Sequence, residues 1–372
     1  MANTIRPFVW PLLLGVLTPR AGREARLVEQ AALRERYETL NRRGRDLLGV
    51  RDRDGAPAAA GGAGAGADGA GAEEEASRSG LLDDSQDFEE VTEGEAETAI
   101  SVEDAVDCRR RILLDITRVH VPEKPLSRKC NAADLAAVAG LDPEVRRTVA
   151  ECEYFNAFQA CQAARLGQLL LAYAIHDPEC NYCQGMSDIA LPFVLLFADD
   201  SLAFWCFEKL MQQARHNFRQ DEVGVQYQLD CIRHTLEIVR PGLAAHIAGI
   251  GVEEYHFAYR MVLVLLRREL GIFETMRVWE QTWAIDGLND DFVNVILEGA
   301  NAVMDPGMFC FIVAGIIVQN EERIRDECRS EDDLLQLFST CKVEYKWLIR
   351  LGRRLREIWT AKLPEVPYGA SL

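Results

Sequence analysis

Two short stretches hold the residues whose types and order could do chemistry. The first is Ile112-Leu113-Leu114-Asp115-Ile116-Thr117-Arg118, and the second, further along the chain, is Asn181-Tyr182-Cys183-Gln184-Gly185-Met186-Ser187-Asp188. An arginine is a permanent cation with a planar fork of donors, and a glutamine amide can hold a water as donor and acceptor at once. Arg118 and Gln184 together supply what hydrolysis of a nucleoside triphosphate asks for: a cation for the charge on the transferred phosphoryl group and an amide to orient the attacking water. Taken singly, each has a plainer reading. Asp115 and Arg118, three apart on a helix, share a face and read as a solvent-facing ion pair worth under about 1 kcal/mol. Gln184, between Asp177-Pro178 and Gly185, reads as a turn residue that satisfies backbone groups.

The elements that must position these residues are helical. Over 105–120, Ile112, Leu113, Ile116 and Val119 fall on one face and Arg111, Asp115 and Arg118 on the other, with Pro122 and Pro125 as the stop. Asp142-Pro143-Glu144 reads as an N-cap with proline at the first helical position, opening helices that run to about His176. Further helices are expected over 201–218, 224–239, 254–270, 273–284, 306–326, 331–341 and 343–363, with Gly271 closing the one at 254–270 as its C′ residue. A charged amphipathic segment covers about 23–48. The fold class is therefore all-α, with many helices and no internal repeat.

Composition narrows the function. With 372 residues, 48% of them apolar, the chain can bury a sizeable core. A formal charge of −18 argues against a nucleic-acid partner, because the phosphate backbone would repel such a surface. Much of that excess lies in Glu73 to Glu97, which holds eleven acidic residues against a single Arg78. An Ala/Gly tract from Ala56 to Ala72 precedes it, so 51–100 reads as a disordered insertion across which the fold must close.

Eleven cysteines without regular spacing read as free thiols of a reducing compartment, which points to the cytoplasm. Cys180-x-x-Cys183 has no second CxxC or HxxxH partner to make it a zinc or redox site. The apolar run from Phe8 to Leu17 imitates a signal peptide but contains Pro11 and lacks a cleavage signal, and Phe309 to Val318 is about half the length of a membrane span. No transmembrane segment is expected. His176, His216 and His256 are isolated in sequence, Ser187 and Ser201 lack a nucleophile motif, and the arginines of 350–356 read as a solvated helix face.

Taken together, the two stretches resemble the TBC (Tre-2/Bub2/Cdc16) domains that activate Rab GTPases. Ile112, Asp115 and Arg118 match that family's IxxDxxR motif, and Tyr182, Gln184, Gly185 and Met186 match its YxQGM motif. The third motif, RxxxW, is present as Arg6 and Trp10, followed by Pro11-Leu12-Leu13-Leu14-Gly15. The resemblance continues through Phe257-Ala258-Tyr259-Arg260, Leu266-Arg267-Arg268-Glu269-Leu270 and Arg277-Val278-Trp279-Glu280, and extends over roughly 5–325. Two departures stand out: Asn181 where glycine is frequent, tolerable because asparagine accepts the left-handed conformation, and Val119 where threonine is usual.

The resemblance implies an all-α multi-helix TBC-type domain divided as 1–50, the insertion 51–100, a main part 101–330 carrying both catalytic motifs, and C-terminal helices 331–372. It implies a GTPase-activating protein of vesicle trafficking and intracellular protein transport, catalytic only towards the GTP of a partner Rab. Arg118 and Gln184 would be the two fingers. Asp115, Tyr182, Gly185 and Arg6 would support them, and Trp10 would pack the core. No cofactor of its own is implied, since GTP and Mg belong to the partner. Localisation would be cytoplasmic or peripheral on endomembranes, attached indirectly through the lipidated Rab. With RxxxW starting at Arg6, an N-terminal targeting region of larger relatives would be missing. The alternative implied function is a TBC-like scaffold that binds a GTPase or adaptor without catalysis.

Overall fold

The computed structural model describes residues 4–50, 99–124, 141–219, 221–286, 306–341 and 343–362. The insertion expected over 51–100 falls outside them except for Ala99 and Ile100. Every regular element among the described residues is helical, as the periodicity predicts. In chain order they are α1 (Arg6–Leu13), α2 (Arg23–Leu47), α3 (Val102–Ile116), α4 (Pro143–Ala150), α5 (Ala157–His176), α6 (Met186–Leu196), α7 (Asp200–Ala214) and α8 (Val223–Val239). There follow α9 (Pro241–Gly249), α10 (Tyr259–Leu263), α11 (Ile272–Asp286), α12 (Gly307–Gln319), α13 (Glu321–Glu327), α14 (Glu331–Thr340) and α15 (Tyr345–Lys362).

The predicted N-cap is found: Asp142 Oδ1 accepts from the amides of Glu144 at 2.9 Å and Val145 at 3.1 Å, and starts α4. Asn156 starts α5 through a capping box with Gln159, each side chain accepting from the other's amide. The α5 helix is the axis of the first half. It is buried from Cys161 to Ile175 and packs against α2, α3, α4, α6 and α7. In the second half the apolar α12 lies against α8, α11 and α15.

Four expectations are corrected. The helix expected over 105–120 ends at Ile116, so Arg118 lies beyond it on a turn. The helix expected over 254–270 is a short 3-10 turn and the five-residue α10. Tyr255, Leu265 and Leu266 all take positive φ, which no continuous helix allows. Leu266 is fully buried and the Trp279 indole donates to the Leu265 carbonyl at 3.0 Å, so tertiary packing overrides local preference. Gly271 consequently closes no helix. Its carbonyl accepts from the amides of Glu274 and Thr275 at the start of α11. A single helix expected over 306–326 is two, α12 and α13, parted at Asn320.

Three helices, α1, α6 and α9, are not among those expected from periodicity. All of α6 except Asp188 is buried, so it has no polar face to give a 3.6-residue signal, and Pro192 within it argues locally against a helix.

Candidate functional site

Arg118 leaves the C-terminal end of α3. Its amide bonds to the Asp115 carbonyl at 2.9 Å, and the Val119 amide bonds to the same oxygen at 3.0 Å. The Tyr154 hydroxyl donates to the Thr117 carbonyl at 2.6 Å and braces this turn from outside. The Arg118 side chain is exposed and has no hydrogen-bond or ion-pair partner among the described residues. The ion pair with Asp115 that the sequence suggests is not formed; the Asp115 carboxylate accepts from the Tyr182 hydroxyl instead.

Gln184 sits on the turn that opens α6, beside the positive end of that helix. It too is exposed, with no partner for its amide among the described residues. Around it the turn is heavily held. Asn181 takes φ +59°, the left-handed conformation expected of it, and its Oδ1 accepts from the Tyr182 amide and from the Cys108 thiol. Gly185 takes φ +107°, and a Cβ there would lie 3.1 Å from Val264 Cγ1. Only glycine meets both demands without strain.

Beneath the turn, Asp177 accepts from the Tyr173 hydroxyl at 2.9 Å, the Cys180 amide at 3.2 Å and Arg215 at 3.0 Å. Arg215 and Arg219 also bind Glu179. The Cys183 thiol donates to the Phe218 carbonyl at 3.2 Å, and Asp188 pairs with Arg268 at 2.8 Å.

Two side chains join the turns to each other. The Tyr182 hydroxyl donates to Asp115 Oδ2 at 2.6 Å, and Arg111 Nη1 donates to the Tyr182 carbonyl at 2.6 Å. Burial, reinforced by Asp115, pushes the Tyr182 phenol far above the ordinary range and keeps it a donor. Asp115 and Tyr182 thus meet directly, and Gly185 follows Gln184 on the same turn.

Arg6 and Trp10 converge elsewhere, on Glu280 of α11. Arg6 Nε donates to Glu280 Oε1 at 2.5 Å and Nη2 to Oε2 at 3.2 Å, while the Trp10 indole reaches Oε1 at 2.9 Å. Trp10 is fully buried, edge-on to Phe193 of α6 at 5.3 Å and Trp283 at 5.0 Å, so it packs the core as expected. Sequence reasoning missed Arg111, Tyr154 and the role of Glu280. Arg111 lies on the polar face of α3, where only the partner brought by folding distinguishes it from its neighbours.

No group of histidine, cysteine or acidic side chains among the described residues could hold a metal, and all ten described cysteines are free thiols. A shallow depression between α2 and α3, lined by Thr39, Arg42, Asp46 and Val102, contains neither Arg118 nor Gln184. Two unpartnered polar groups on exposed, braced turns can act on a reacting centre that another molecule brings. Among the described residues no helix is long and apolar enough to cross a membrane.

The fold and this pair of turns define an all-α domain that presents an arginine and a glutamine to solvent. Residues 125–298 match the model of the Rab-GTPase-TBC domain family. The matched span holds Gln184, Tyr182 and Gly185, whereas Arg118, Arg6 and Trp10 precede it.

Relatives include Rab GTPase-activating protein 22 of Arabidopsis thaliana, 44% identical over 133 residues, which are 35% of this chain and 24% of that protein. GTPase-activating protein GYP7 of Yarrowia lipolytica is 35% identical over 129 residues, 35% of this chain and 18% of the relative. TBC1 domain family member 16 of Homo sapiens is 30% identical over 146 residues, 39% of this chain and 19% of the relative. The chain thus spans a quarter or less of the length of these relatives. The crystal structure of the Ypt/Rab-GAP domain of Gyp1p shares the fold, with a TM-score of 0.58 at 14% identity, covering 96% of this chain and 89% of that one.

Proposed function

We propose that this protein is a GTPase-activating protein for a Rab-family small GTPase, acting through Arg118 and Gln184 delivered in trans. The observation that carries the reading is the exposure of both side chains, without partners, on two turns tied together by the Tyr182–Asp115 hydrogen bond. Arg118 enters the partner's nucleotide site and neutralises charge on the transferred phosphoryl group. An arginine supplied in this way is worth roughly 10³ to 10⁵ in rate for GTPases. Gln184 donates to and accepts from the attacking water, which fixes its line of approach. GTP and its magnesium belong to the partner, so the protein needs no cofactor of its own. It works in the cytoplasm and reaches endomembranes through the lipid anchor of the Rab.

The test is single-turnover GTP hydrolysis across a panel of purified Rabs, with Arg118→Ala and Gln184→Ala beside the wild-type protein. Acceleration of one or a few Rabs, abolished by either substitution, is expected. Binding to a GTP-loaded Rab without acceleration would replace this reading with a non-catalytic scaffold.

A further inference from the structure

Tyr182 is held at both ends by one face of α3. Its hydroxyl donates to Asp115, and its carbonyl accepts from Arg111 Nη1 at 2.6 Å. Residues four apart on a helix are neighbours about 5–6 Å apart, a spacing that suits the two polar ends of one tyrosine. The Arg111 fork is itself fixed. Its Nε pairs with Asp107 Oδ2 at 2.9 Å, and Nη2 approaches the Cys108 sulfur at 3.4 Å. Cys108 in turn donates to Asn181. No backbone amide among the described residues donates to the Tyr182 carbonyl, so the guanidinium satisfies it.

The two attachments do different things. The hydroxyl bond anchors a buried ring, which packing also holds. The carbonyl bond sets the tilt of the Tyr182–Cys183 peptide plane, and rotation of that plane swings the next residues, of which Gln184 is the second.

We propose that Arg111 is a positioning residue for Gln184. Through the Tyr182 carbonyl it locks the glutamine turn to the helix whose C-terminal turn carries Arg118, so that the two side chains reach a reacting centre as one rigid unit. Arg111 acts through Tyr182 and touches neither nucleotide nor water. The inference rests on the GTPase-activating reading above.

The experiment measures kcat and KM for the Rab that the wild-type protein accelerates most, with Arg118→Ala and Gln184→Ala as references. Arg111→Ala is expected to lower kcat by roughly 10- to 100-fold with KM within about twofold, as a misplaced catalytic group does. Arg111→Lys, which keeps a donor for the carbonyl, is expected to retain part of that kcat and carries the comparison where the alanine variant folds poorly.

Three results overturn the inference while leaving the activity reading intact, given that Arg118→Ala and Gln184→Ala abolish acceleration. They are an unchanged kcat in Arg111→Ala, a rise in KM alone, which marks a docking contact, and a kcat in Arg111→Lys as low as in Arg111→Ala, which marks a role other than donation to the carbonyl. Activity unaffected by Arg118→Ala and Gln184→Ala overturns both readings together.

Discussion

The Tyr182 hydroxyl gives its hydrogen to Asp115 Oδ2 at 2.6 Å, and this bond helps connect the turn of Gln184 to the helix that leads into Arg118. Tyr182→Phe keeps the buried ring and removes only that donor. Because the acceptor is a carboxylate, the loss is expected to be about 1.5–3 kcal/mol of stability, read from urea unfolding, with a fall in GTPase activation. Asp115→Asn keeps an acceptor and is expected to cost less on both counts. Equal effects of the two variants would show that the bond does not couple the turns.

Gly185→Ala places a Cβ on a backbone at φ +107° and within 3.1 Å of Val264 Cγ1. A residue with a side chain in that region costs on the order of 1–3 kcal/mol. The turn is expected to relieve this by shifting Gln184, so activation of the Rab should fall by at least tenfold while the protein stays folded by circular dichroism. Val264→Ala removes the near contact but not the φ requirement, and is expected to restore little.

The Arg6–Glu280 pair is buried, with both side chains almost wholly screened from water. Glu280→Ala deprives the Arg6 guanidinium and the Trp10 indole of their common acceptor. Breaking a buried pair on one side costs about 3–5 kcal/mol, whereas replacing both partners with apolar groups of similar size is often neutral. Guanidinium unfolding should therefore rank Glu280→Ala as the more damaging change and Arg6→Met with Glu280→Leu as the milder one. The reverse order would mean that the pair contributes net attraction.

Burial, with Asp177 and Cys183 nearby, pushes the Cys180 thiol from an ordinary 9.0 up to about 12. Between those values the folded protein keeps a proton that the unfolded chain has released. Unfolding then sheds that proton, and stability falls as pH rises from about 9 to about 12. Below about 9 the contribution is fully present. Tyr182, also raised by burial, adds to the slope above the ordinary phenol range. Urea unfolding at a series of alkaline pH values is expected to show the decline, and Cys180→Ala should flatten its lower part. An unchanged slope in that variant would assign the decline to other groups.

The sequence by itself determined the helical class, because apolar residues at 3.6-residue spacing from Ser101 onward have few other uses. It also determined the N-cap at Asp142 and the left-handed Asn181, since cap and turn chemistry is local. The residue types of the candidate pair, Arg118 and Gln184, were legible for the same reason, as motif positions with defined neighbours. Elements whose local signals conflict with their surroundings were not. The buried α6 has no polar face to mark its period, and 254–270 looks helical until the Leu265–Leu266 backbone is bent into the left-handed region by packing against Trp279.

Only the tertiary structure decided what each polar group faces. It took Asp115 from Arg118 and gave it to Tyr182, joined Arg6 and Trp10 through Glu280, and made Arg111 the clamp on a carbonyl distant in the chain. A hydrogen bond depends on distance and angle at the scale of tenths of an ångström. Residues so far apart in the chain acquire that relation only when the helices between them pack, so no reading of spacing along the chain contains it.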